Sequence, residues 1–164
     1  MRVRSLPKFP ILVMLFGIVL AIYLYLRKMT TTNKGLDIYS IVRYYGFTDK
    51  IAKYVVSQAA HETSGFTSLI YNLNNNLFGM KYAGQSSAKG EKNGYAYYDN
   101  IEGSVYDFSR WWVRARANLY MFPMFINSLP NYVHALKNNN YFEDTEENYL
   151  AGCQYYYNQL YGNE

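Results

Sequence analysis

The chain has 164 residues, a net charge of +4 and a single cysteine, Cys153. That length holds one domain with a short appendage, since domains mostly run to ~100–150 residues. One cysteine excludes an internal disulfide and any multi-cysteine metal site. The basic residues are scattered rather than gathered on one helical face, which speaks against nucleic acid as a partner and suits an anionic polymer such as a cell wall.

Residues 9–26 carry no charge, and Ile, Leu, Val, Phe, Met and Tyr fill the run except at Pro10, Gly17 and Ala21. Crossing a hydrocarbon core takes roughly 17–25 apolar residues, and a helix in a soluble core would show a polar face that this run lacks. The expectation is a membrane anchor over residues 1–28. A cleaved signal peptide is the rival reading, but its apolar stretch is shorter, ~7–15 residues, and ends in small residues. This one ends Tyr23-Leu24-Tyr25-Leu26-Arg27-Lys28. Arg2, Arg4 and Lys8 before the run nearly balance Arg27, Lys28 and Lys34 after it; the N-terminal amine tips the balance toward a domain facing out of the cytoplasm.

Thr30-Thr31-Thr32-Asn33-Lys34-Gly35 reads as a polar linker, residues 29–35, leaving residues 36–164 as the domain. Ile38, Ile41, Val42 and Tyr45 then recur at helical spacing, with Gly46 just past the end. Thr48 can cap a second helix, in which Ile51, Val55, Ala59 and Glu62 share one stripe and Gly65 supplies a left-handed stop. Leu73-Asn74-Asn75-Asn76-Leu77-Phe78-Gly79 is too rich in turn formers for a regular element, and residues 82–94 read as one long exposed loop. Tyr95-Ala96-Tyr97-Tyr98-Asp99 is a short strand, one arm of a small hairpin. Val105, Phe108, Trp112, Ala115 and Leu119 define a helix, with Asp107, Arg110, Arg114 and Arg116 on its other faces. Another follows Ser128-Leu129-Pro130, and Thr145 caps a last one with Tyr149, Cys153, Tyr156 and Leu160 on its buried stripe.

A glutamate closing an apolar helical stripe is unusual. Burial disfavours its charged form, and the negative end of the helix dipole pushes the same way, so Glu62 should hold its proton to a higher pH than a free carboxyl. That suits a general acid handing a proton to a leaving sugar oxygen. A glutamate that simply reaches solvent at a frayed helix end is the competing reading. His61 beside it does not make a zinc-protease motif, because the residue one turn further on is Gly65 and the only other histidine is His134. Trp111 and Trp112 diverge by ~100° on a helix, so at most one faces a groove, and Trp112 belongs to the core stripe.

Glu62-Thr63-Ser64-Gly65, then Asn76-Leu77-Phe78-Gly79-Met80-Lys81, then Tyr98-Asp99 and the late Tyr141 and Tyr149 together resemble glycoside hydrolase family 73, the N-acetylglucosaminidases that cut peptidoglycan. The resemblance runs from about Ile51 to Leu160. Two departures stand out: Thr63 lengthens the turn after the acid, and Asn140-Tyr141-Phe142-Glu143-Asp144-Thr145 replaces the usual Gly-Tyr-Ala-Thr-Asp-Pro block.

The resemblance implies a mainly α, lysozyme-like helical domain with a small β-hairpin lobe, following one N-terminal transmembrane helix. It implies Glu62 as general acid, with Asn76, Phe78, Lys81 and Tyr141 contacting substrate and no metal or organic cofactor. Its second carboxylate would come from the lobe, where Glu91 is the only acid between Lys81 and Asp99; an ordinary solvated charge is the alternative, and the substrate's acetamido group can then act as nucleophile. The implied partners are peptidoglycan glycan strands and, through residues 9–26, a lipid bilayer, with the catalytic domain on the periplasmic side. A lytic transglycosylase or muramidase on the same polymer, a non-catalytic wall-binding membrane or phage protein, and a phage endolysin are the other readings.

Overall fold

The computed structural model describes residues 8–115 and 123–162. Leu119 and Arg116 of the expected long helix, and Arg2 and Arg4 before the apolar run, lie outside the described residues. The chain forms two units, one ending at Thr30 and one running from Thr31 onward.

In the first unit, helix α1 (Lys8–Tyr44) begins, and its described apolar side chains are exposed. Val13–Tyr44 is long and apolar enough to cross a membrane. The polar stretch expected to be a linker is helical, continuing α1 without a break. In the second unit its side chains are used: Thr31 is 4% exposed and donates to the Gly65 carbonyl at 3.3 Å, while Lys34 Nζ donates to the Phe66 carbonyl at 3.0 Å. A Cβ at Gly35 would run into Leu160, so glycine there is a packing requirement rather than a sign of flexibility. Ile38 and Val42 further along α1 are core residues.

Helix α2 (Asp49–Glu62) opens at Thr48, whose hydroxyl accepts from the Ile51 N–H. The apolar stripe Ile51–Val55–Ala59 is only part of its buried surface, because Ala52, Val56, Ser57, Gln58 and Ala60 are buried as well. It is therefore a central helix. Small side chains at Ala52, Ala59 and Ala60 let α6 (Glu146–Tyr161) and α5 (Leu129–Asn138) approach it closely. Both surrounding helices start on hydroxyl caps: Thr145, as read from the sequence, and Ser128, where the sequence marked the start by Pro130 in the first turn.

A short helix, α3 (Leu69–Asn74), precedes the asparagine triplet and has no apolar periodicity to announce it. Each asparagine then does a different job. Asn74 donates to Lys92 O at 2.7 Å, and Asn75, in the left-handed region at φ +49°, donates to Tyr98 O at 2.9 Å. Asn76 donates to Met80 O and Ala96 O, both at 2.9 Å, and accepts from the Phe78 and Met80 N–H groups. The triplet thus fastens a hairpin of β1 (Gly90–Lys92) and β2 (Tyr95–Tyr97), antiparallel with Glu91 opposite Ala96. Residues 82–94, expected as one loop, contain the first of these strands. Asn93 and Gly94, both at positive φ, make the two-residue turn.

Helix α4 (Ile101–Ala115) buries Val105, Phe108 and Trp112, and the fully buried Ser104 accepts the Leu77 N–H on its hydroxyl oxygen at 3.0 Å. Trp112 stacks on Tyr132 and sits near Phe47, while Phe108 stacks on Phe78 with ring centres 4.2 Å apart. Cys153 is buried in this core, as its place on the α6 stripe suggested. The result is the mainly helical architecture with a small hairpin that the sequence implied.

Candidate active site

The turn after Glu62 is the most strained stretch of backbone described. Ser64, Gly65 and Phe66 all have positive φ, +52°, +72° and +63°. A left-handed conformation at a buried phenylalanine costs ~1–3 kcal/mol and persists only where surroundings hold it. Thr63 supplies that hold. It is fully buried, its hydroxyl donates to Ala59 O at 2.6 Å and accepts from the Phe66 N–H at 3.1 Å. The added threonine that sets this chain apart is the knot of the turn, and Thr31 and Lys34 of α1 tie down the two carbonyls that follow. The helix stop is completed by the Gly65 N–H on Ala60 O at 2.7 Å.

Glu62 is thereby fixed at the C-terminal end of the central helix. Tyr149 donates its hydroxyl to Glu62 Oε1 at 2.5 Å. That ring is itself clamped, stacked on Phe142 with centres 3.8 Å apart and edge-on to His61 at 4.8 Å. Oε2 faces Gly79, where a Cβ would lie 3.0 Å from it and the backbone is left-handed at φ +60°. Burial pushes the Glu62 pKa up, opposed by the Tyr149 hydrogen bond, which favours the charged form. His61 is less of a rim residue than its sequence position suggests: it is half-buried, its pKa is lowered by that burial, and Gly152 of α6 leaves room for its ring.

Beside this carboxyl lies a cleft of about 910 Å³ between α4, residues 78–86 and the loop around Tyr141. Its floor is Phe78–Gly79, the segment that also abuts Glu62. Tyr141 pins that floor by donating to Phe78 O at 2.7 Å, and it packs edge-on against Trp111 at 4.7 Å. Trp111 lines the cleft, whereas Trp112 is 1% exposed in the core.

Three of the expected site residues gather here. Phe78, Lys81 and Tyr141 line the cleft. Asn76 does not: it is fully buried with its amide spent on backbone beneath the floor segment. Glu91 is likewise displaced from expectation. It is exposed on β1 and absent from the cleft lining. The carboxyls that do line the cleft are Glu143 and Asp107, the latter 2% exposed and accepting from Ser87 N–H at 3.3 Å and Ser86 Oγ at 3.4 Å. The Asp107 pKa is raised by burial. Asp107, Arg110, Trp111 and Arg114 share one helical face at spacings of three, one and three, a signal overshadowed by the stronger Val105–Phe108–Trp112 stripe. Among the described residues, no group of three or more His, Cys, Asp or Glu side chains could hold a metal ion.

A glucosaminidase family model, described as mannosyl-glycoprotein endo-beta-N-acetylglucosaminidase, matches residues 41–162. The chain belongs to the glucosaminidase family. It is a glycoside hydrolase, in line with the resemblance carried by the motifs around Glu62 and Phe78. The glucosaminidase match begins ten residues before the motif resemblance, within α1, and takes in the whole of α2 through α6. Neither curated proteins nor solved structures yield a match.

Proposed function

We propose that this glucosaminidase hydrolyses the β-1,4 glycan strand of bacterial peptidoglycan at N-acetylglucosamine, with Glu62 as general acid. The observation that carries the reading is the environment of Glu62: a carboxyl made harder to ionise by burial, held by Tyr149, and set against Gly79, which lines an aromatic-rich cleft. The motif pair around Glu62 and Phe78, similar to family 73, supplies the choice of peptidoglycan.

Oε1 is occupied as the acceptor of the Tyr149 O–H, so the proton to be delivered belongs on Oε2, the oxygen facing Gly79. Donation to the glycosidic oxygen releases the leaving sugar as an alcohol. The substrate's acetamido oxygen bonds to the anomeric carbon as the C–O bond breaks; water then opens that ring and returns its proton to Glu62. The exposed position of Glu91 favours this acetamido route over a second protein carboxylate.

The apolar part of α1 supports a single-pass anchor, and the positive charge before it, with the N-terminal amine, supports a domain outside the cytoplasm. Recovery of a soluble mature protein beginning near Met29 would show a signal peptide instead.

Glu62→Gln keeps the shape but has no proton to give, so turnover of purified peptidoglycan should fall ~10²–10⁴-fold. Parental digestion by a variant shown to be folded by circular dichroism would overturn the assignment. Mass spectrometry of the parent's fragments separates N-acetylglucosamine reducing ends from the chain ends left by a muramidase or lytic transglycosylase.

A further inference from the structure

Three cations line the cleft and outnumber its two carboxylates. Arg110 and Arg114 lie one turn apart on α4, and Lys81 comes from the floor segment; all three line the cleft and are exposed. Among the described residues none of their side chains has a hydrogen-bonded or ion-paired partner. The two acids of the same cleft offset them only in part. Asp107, held by Ser86 and Ser87, feels the charge of Arg114, and Glu143 stands in the Tyr141 loop without an ion pair to the three cations among the described residues, which leaves an excess of positive charge.

A neutral glycan strand gives such cations no counter-charge. Sugars are bound by aromatic faces and by hydrogen bonds, and Trp111 with Tyr141 already supplies aromatic surface in the cleft. Arginine is the side chain matched to a carboxylate, which it takes with two parallel N–H donors, and two arginines one turn apart present such forks to neighbouring positions. The cavity walls exclude part of the surrounding water, which strengthens each pairing over its value at an open surface.

We propose that Arg110, Arg114 and Lys81 form an anion subsite for carboxylates of the acidic peptide attached to the glycan, so that the enzyme reads the substituted strand rather than the bare one. The proposal rests on the peptidoglycan reading above and adds the part of the polymer that is recognised. The subsite would hold the peptide beside the sugars on the Trp111 side of the cleft.

The test compares kcat/KM of the full chain on peptide-bearing strands and on strands stripped of peptide by an amidase, for the parent and for Arg110→Gln/Arg114→Gln. It is paired with calorimetric binding of a disaccharide–peptide fragment and of its peptide-free disaccharide. The parent should favour the peptide-bearing strand about tenfold, the preference should shrink as salt is raised, and the double variant should bring the ratio close to one. Equal kcat/KM and equal binding for the parent on both forms, or an unchanged preference in the double variant, overturns the anion subsite while leaving Glu62 catalysis untouched. Failure of the parent to cut either form, with arginine-dependent binding of the peptide fragment intact, supports the subsite and overturns the proposed hydrolysis.

Discussion

Gly79 and Gly94 offer a matched pair of perturbations. Both are left-handed, at φ +60° and +78°, but a Cβ at Gly79 would lie 3.0 Å from Glu62 Oε2 and 3.8 Å from its Cδ, whereas one at Gly94 meets nothing within 4 Å. Alanine at either position forces an L side chain into left-handed backbone, at ~1–2 kcal/mol. For a domain of this size, ~2–4 °C of Tm per kcal/mol makes each variant about 2–8 °C less stable. Only Gly79→Ala adds a contact. Ordinary carbon contacts sit at ~3.5–4.0 Å, so the carboxyl must give way by a few tenths of an ångström, against the Tyr149 hydrogen bond that holds its other oxygen. Displacements approaching ~1 Å at a catalytic group cost as much as 10²-fold, so kcat/KM should drop about ten- to a hundredfold, or ~1.4–2.8 kcal/mol of transition-state binding. Gly94→Ala should stay within about twofold of the parent by the same ratio of rates. Melting by circular dichroism and turnover of purified peptidoglycan read the two effects separately. A parental rate for Gly79→Ala, or equal losses in both variants, would refute the argument that Oε2 delivers the proton past the bare face of Gly79.

Tyr149→Phe removes the one hydrogen bond that favours the charged form of Glu62, leaving burial unopposed, so the alkaline limb of the kcat/KM profile should move to higher pH; a limb that stays or moves down contradicts the role given to Tyr149. The Glu62→Gln exchange should also change stability with pH. The folded-state pKa lies above the unfolded one, so the parent is at full stability below the unfolded value and loses stability as pH rises through the folded value. The variant's gain in denaturant midpoint should therefore appear near neutrality and vanish in acid. Asp107→Ala leaves the Ser87 N–H without its acceptor, so the domain should lose ~1–3 kcal/mol and KM should rise more than kcat falls, as the loop at residues 85–88 loosens. Steady-state kinetics with an unchanged KM would show that this loop does not shape the cleft.

The helices with hydroxyl caps and apolar periods could be read directly: Thr48 to Glu62, Ser128 onward and Thr145 onward all form where local chemistry places them. Helix α3 could not, since Leu69–Asn74 has no amphipathic period and depends on the Ser68 cap and the asparagine network behind it. The stretch at residues 30–35 misled for a different reason. Threonine, asparagine and glycine favour loops when their side chains are idle, but Thr31, Lys34 and Gly35 are committed to contacts at residues 65, 66 and 160 that no local pattern reveals. In the site, Glu62 was legible because a carboxyl on an apolar stripe is anomalous by itself. The Tyr149 hydrogen bond spans 87 positions and the Asp107 contacts 20 and 21, so both depend on tertiary packing. The burial of Asn76 was not legible, because a buried amide bonded to backbone looks, in a motif, the same as one open to a sugar.

The struts beneath the Ser64–Phe66 turn bear on where this chain can be shortened. Removing the apolar run to obtain a water-soluble enzyme invites a start at Leu36, where amphipathic periodicity resumes. That cut would discard Thr31 and Lys34, leaving the Gly65 and Phe66 carbonyls to find other donors and three left-handed residues to hold their shape without them. A start at Lys28 keeps both struts while shedding residues 9–26, so the boundary for preparing the soluble domain lies on the N-terminal side of the threonines, ahead of what looks on paper like spacer.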